Sequence, residues 1–191
     1  DCLLSRGLGD VYKRQPCLLA DDLIPKKDVD HLAALDADEM PEFWIRVQQS
    51  YVSDTLMIAM KLACYTAVRI SELLRARWDT GEVNFENREW VIPASRMKLR
   101  RDHVVPLTDQ TVELFKIMYD SRLDDGFIFK QKKDPGKRCP SESILAIIKR
   151  NGYEKRMTTH GFRSIFSTLA NESKLFLSLI HISEPTRQEA I

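Results

Sequence analysis

Between residues 38 and 172 the hydrophobic positions fall mostly at helical spacing. Over 38–49 the apolar residues Met40, Phe43, Trp44 and Val47 share one face, which predicts an amphipathic helix. In 54–68, Leu56, Met57, Ile58, Met60, Leu62, Cys64 and Tyr65 cover almost every side. That pattern predicts a buried helix, with Ser53 or Asp54 capping its first turn. A short helix follows at 71–77. The period then shifts to strands at 83–85, 90–92 and 103–106, with Asn87-Arg88 as a tight turn in a small antiparallel meander. Thr108 is placed to cap a helix reaching about residue 119, with Val112, Phe115 and Met118 inward. Residues 124–140 form a basic loop around the apolar piece 127–129. Ser141 caps a helix to Arg150, and Thr158 or Thr159 caps a last one to about Glu172. The expected fold class is α+β, mainly α-helical, with a small three-stranded antiparallel sheet.

The two ends do not join this pattern. Residues 1–15 and 177–191 follow neither period, and both strings resemble translated adapter read-through. The natural domain is therefore expected over 16–176.

Composition adds mainly exclusions. Of 191 residues, 43% are hydrophobic and 30% charged, which rules out wholesale disorder, collagen and coiled coil. Cys2, Cys17, Cys64 and Cys139 form no CxxC pair, so neither a zinc site nor a disulfide framework is expected. The apolar run at 175–182 is too short to span a bilayer, and the expected location is a reducing cytoplasm. The formal charge of +1 hides an asymmetry. Residues 1–87 hold 10 Lys and Arg against 15 Asp and Glu, whereas residues 88–163 hold 17 against 10, net +7. A basic middle is the footprint of a polyanion-binding face, or else a solvated Lys-rich surface.

Four residues stand out as chemistry. Arg69 follows the predicted buried helix, Lys98 sits between the second and third strands, and His160 and Arg163 form an HxxR at the start of the last helix. Three residues apart, His160 and Arg163 share a helix face, near backbone N–H groups that favour an anion. Taken singly each has an ordinary reading: an Arg69–Glu72 ion pair, a solvated loop lysine, a chance HxxR. Together, two arginines can fork onto phosphate oxygens, a lysine can donate a proton and a histidine can shuttle one. No carboxylate cluster is available for Mg²⁺, so a metal-assisted nuclease fits poorly.

The order and spacing resemble the tyrosine recombinases, specifically the phage-type integrases of bacterial mobile elements. The resemblance rests on Thr66-Ala67-Val68-Arg69-Ile70-Ser71-Glu72-Leu73, Trp90-Val91-Ile92-Pro93 with Arg96-Met97-Lys98, His103-Val104-Val105-Pro106-Leu107, and Thr159-His160-Gly161-Phe162-Arg163. It implies a catalytic-domain fold of the DNA breaking-rejoining type and a site of Arg69, Lys98, His160 and Arg163. Within it Glu72 holds Arg69, while Arg96, Arg100 and Arg101 contact DNA. No cofactor or metal is implied. The implied partner is duplex DNA, with a parent enzyme that is tetrameric on paired sites and a monomeric fragment. Ala67 stands where many relatives have Gly, and a helical or bridge backbone is expected there. The implied reaction is transesterification through a 3′-phosphotyrosine. The last tyrosine is Tyr153, so the nucleophile has no counterpart after the HxxR motif, and the setting of His181 does not resemble the family's second histidine. The chain by itself is thus expected to be inactive. A DNA-binding module without a nucleophile, or a helical interaction protein, are the alternative readings.

Overall fold

The computed structural model describes residues 33–97 and 99–173; the terminal strings and Lys98 lie outside the described residues. Six α-helices and three strands occur among them. They are α1 (Met40–Gln49), α2 (Asp54–Thr66), α3 (Ile70–Leu73), β1 (Val83–Asn84), β2 (Glu89–Ile92), β3 (His103–Pro106), α4 (Asp109–Asp120), α5 (Ser141–Arg150) and α6 (Gly161–Glu172). Short 3₁₀ turns precede α1 at Ala37–Glu39 and follow β2 at Ala94–Arg96.

α2 is the central element, packing against α4, α5 and α6. Its apolar positions explain this: Ile58, Ala59, Met60, Leu62 and Ala63 are all buried, and Ser53 Oγ accepts the Leu56 N–H to cap its first turn. The helix is less enclosed than the pattern predicts, for Tyr65 is 50% exposed on its last turn. α1 buries Phe43 and Val47 on the predicted face. Phe43 joins an edge-to-face aromatic cluster with Trp44, Tyr153 and Phe162, which seats the start of α6.

The sheet runs in the order β1-β2-β3, all antiparallel, with Trp90 opposite Val83 on one side and Val105 on the other. The β1–β2 connection is a four-residue loop, 85–88. Asn84 Oδ1 takes the N–H groups of Glu86 and Asn87, and Arg88 adopts φ 54°. Thr108 caps α4 through the Thr111 N–H. Ser141 does not cap α5: it is the first helical residue, and Pro140 occupies the cap without a side-chain bond. Pro140 has φ −74° and ψ 149°, an extended backbone that ends the loop at the position before the helix. Among the described residues no helix is long and apolar enough to cross a membrane.

Candidate functional site

The site is built where α2 ends. Ala67 takes a left-handed backbone, φ 51° and ψ 19°, with its N–H on the Ala63 carbonyl at 3.1 Å. This corrects the expected helical or bridge geometry. The chain must leave α2 sharply so that Val68 can bury and Arg69 can extend into α3, and a left-handed residue at the helix end makes that turn. Alanine tolerates it at a cost of about 1–2 kcal/mol.

Arg69 is the residue immediately before α3, and its carbonyl accepts the N–H groups of Glu72 and Leu73. Its Nη1 donates to Glu72 Oε1 at 2.8 Å; the Glu72 side chain is 9% exposed and that of Arg69 45%. One edge of the guanidinium is thus held by a buried carboxylate, while much of the side chain remains open to a ligand.

Arg163 reaches the same turn from α6. Its Nη1 donates to the Ala67 carbonyl at 3.2 Å, and the residue is exposed. His160, also exposed, directly precedes α6 and accepts the Arg163 and Ser164 N–H groups on its carbonyl at 3.0 and 3.3 Å. His160 holds the N-cap position of α6 without a side-chain cap bond, which corrects the expected Thr158 or Thr159 cap; Thr158 Oγ1 instead accepts the Gly161 N–H at 3.2 Å from the turn before the helix. Several N–H groups at the start of α6 are therefore already bonded. Packing is tight at Gly161: a Cβ there would meet Met157 Sδ at 3.0 Å and the Ala33 carbonyl at 3.2 Å, so these neighbours would have to give by a few tenths of an ångström. That crowding was not visible in the sequence, because segment 33–34 is distant along the chain.

The loop between β2 and β3 divides the basic residues predicted to contact DNA. Arg100, at φ 51°, and Arg101 are exposed. Arg96 departs from the expectation. Its guanidinium turns inward to Glu82 Oε2 and the Arg75 carbonyl, leaving the side chain only 14% exposed. The buried Glu82 carboxylate competes for it more effectively than solvent does. Other cations counted in the basic stretch are also engaged locally, among them Lys137 with Asp134 at 2.9 Å and Lys149 with Glu154 at 2.6 Å. Arg156 pairs with Glu39, and Lys130 with Asp124. An open groove of about 790 Å³, lined in part by Ser53, Leu56, Trp78, Arg122 and Lys132, lies at the N-terminal end of α2. The helix is about 20 Å long, so this groove is remote from the arginine turn.

Comparison with known proteins agrees with the family resemblance. Residues 33–181 match the phage integrase family. The integrase of Shigella phage Sf6 is 39% identical over 139 residues, covering 72% of this chain and 36% of that protein. Prophage integrase IntS of Escherichia coli K12 is 40% identical over 139 residues, with the same coverages of 72% and 36%. The chain spans about a third of the length of these curated relatives. Among solved structures, the Tn1549 transposon integrase in complex with circular intermediate DNA superposes with a TM-score of 0.62 at 17% identity, over 85% of this chain and 59% of that one. XerA recombinase gives 0.56 at 17% identity, over 74% and 51%. The helical core with its three-stranded sheet is thus the tyrosine-recombinase catalytic fold, and the chain belongs to the phage integrase family.

Proposed function

We propose that the parent of this chain is a site-specific recombinase that cuts and rejoins duplex DNA, and that residues 33–173 supply the surface around the scissile phosphate. The observation that carries this reading is the Arg163 contact with the Ala67 carbonyl, two residues before Arg69. It brings the exposed Arg163 guanidinium to the turn that precedes Arg69, whose own side chain is also exposed. Both can fork onto the non-bridging oxygens, and they would offset the charge that builds on a pentacoordinate phosphorus. His160 acts beside them in proton transfer. Lys98 donates the proton that the leaving 5′-oxygen requires, and Glu72 orients Arg69. A tyrosine oxygen attacks phosphorus as the bond to the 5′-oxygen breaks, leaving a 3′-phosphotyrosine. No tyrosine of this chain is assigned that role. Arg100 and Arg101 contact the flanking backbone, and Arg96 is left out of the DNA-facing set. Support for the partner comes from related folds: the Tn1549 integrase is held with circular intermediate DNA, and XerH recombinase with difH substrate. The parent acts as a tetramer on paired sites in the bacterial cytoplasm, and the chain alone is monomeric.

Fluorescence anisotropy with a short duplex tests the reading. Affinity should fall steeply between about 50 and 200 mM salt, and removing Arg69 or Arg163 should each lower the log–log slope by about 1. Absence of binding at low salt would overturn it. A nicked suicide substrate should give no covalent adduct with the 191-residue chain; an adduct would show that one of its own tyrosines is the nucleophile.

A further inference from the structure

Arg96 sits two residues before Lys98 and looks, in the sequence, like one more cation of a basic loop. Its bonds set it apart. Nη2 donates to Glu82 Oε2 and Nη1 to the Arg75 carbonyl. Glu82 is itself fixed on three sides. Its side chain is 4% exposed, Thr80 Oγ1 donates to Oε1 at 2.9 Å, and Trp90 Nε1 donates to Oε2 at 3.3 Å. Trp90 is fully buried in the middle strand, and the Val91 N–H bonds the Glu82 carbonyl at 2.8 Å. Glu82 therefore belongs rigidly to the sheet. Arg75 lies just past α3, its N–H on the Glu72 carbonyl at 3.3 Å, so it moves with the turn that carries Arg69. One guanidinium joins the sheet, the Arg69 turn and the loop that holds Lys98.

We infer that Arg96 is a positioning residue, which through Glu82 and the Arg75 carbonyl holds the Lys98 loop in a set place relative to Arg69. The inference rests on Lys98 being the proton donor. A general acid acts only within hydrogen-bond reach of the oxygen it protonates, so a lysine on a free loop would spend little time in position. The bond from the Ala94 N–H to Asp102 Oδ1, 2.7 Å, closes the neck of the loop upon itself without tying it to the arginines. Arg96 makes that tie, with Met97 packed on the core beside it. A planar fork is needed because one head must reach a carboxylate and a carbonyl together, which an ammonium does less well.

Native-state trypsin cleavage of the 191-residue chain after Lys98, Arg100 and Arg101 reads the order of this loop, with cleavage after Lys132 and Lys133 as the internal reference. Arg96→Met alone would strand the buried Glu82 charge and risks unfolding, so the main test is the double variant Glu82→Gln/Arg96→Met, which removes both charges. Cleavage at the loop should rise about tenfold in the double variant while the reference sites keep their rate. Arg96→Lys should fall between it and the wild type. The inference is overturned if loop cleavage is unchanged in the double variant, or if it rises equally at the reference sites, since the pair would then serve general stability alone. The Lys98 assignment is scored separately by titrating Lys98→Ala with a nicked duplex. Unchanged affinity and salt slope would remove Lys98 from the phosphate site without altering the cleavage result.

Discussion

Replacing Ala67 with glycine and with valine probes the turn on which both arginines converge. At φ 51° an L-residue bears a cost of about 1–2 kcal/mol that glycine does not. Glycine in turn loosens the unfolded chain, which offsets about 0.4–1 kcal/mol of that gain. Ala67→Gly should therefore stabilise the fold by about 0.5 kcal/mol, raising the melting temperature by about 1–2 °C for a chain of this size. Were Ala67 in a right-handed helix, the same change would cost about 1 kcal/mol, so the sign alone separates the two backbones. Ala67→Val should go the other way, losing about 1–3 kcal/mol, because a β-branched side chain is poorly accommodated at positive φ. Urea unfolding followed by far-ultraviolet circular dichroism, with a shared m-value, measures both. A loss of 0.5 kcal/mol or more in Ala67→Gly, or wild-type stability in Ala67→Val, would refute a left-handed Ala67. Because Arg163 bonds a backbone carbonyl, neither variant deletes its acceptor.

Other outcomes follow from the packing around the site. Phe162→Ala empties a fully enclosed position between Phe43 and Trp44 and should cost about 3–5 kcal/mol by the same urea assay. Gly161→Ala should lose about 1–3 kcal/mol, since its new methyl meets Met157 and segment 33–34; a melting temperature equal to wild type would show that this segment yields freely. Burial pushes the Cys64 thiol up to about 12, so the folded chain keeps a proton that the unfolded thiol releases near pH 9.0. That contribution is intact below pH 9 and is lost as pH rises toward 12, by at most about 1.4 kcal/mol per pH unit. Comparing wild type with Cys64→Ala from pH 8 to about pH 10.5 isolates the slope, and native Cys64 should resist iodoacetamide at pH 8.

Local pattern alone determined most of the secondary structure. The helices at 40–49 and 109–120 and the strands of the meander each carry an apolar period strong enough to select one conformation, and Thr108 supplies the cap at the start of the second helix. The order of the Arg69, Lys98 and His160–Arg163 motifs was likewise legible, because spacing survives without coordinates. Tertiary structure decided three things that no local window contains. Alanine favours helix, and the apolar run continues to Val68, so only the docking of neighbouring elements shows that α2 must stop at a left-handed Ala67. Arg96, Arg100 and Arg101 look alike in sequence, yet only Arg96 faces a buried carboxylate, from a residue fourteen positions away. The basic surplus counted along the chain is thinned by ion pairs that form on folding, such as Arg156 with Glu39. The physical reason is common to all three: propensity and period act over one or two turns. The environment that orients a charge or breaks a helix is assembled from segments distant in sequence.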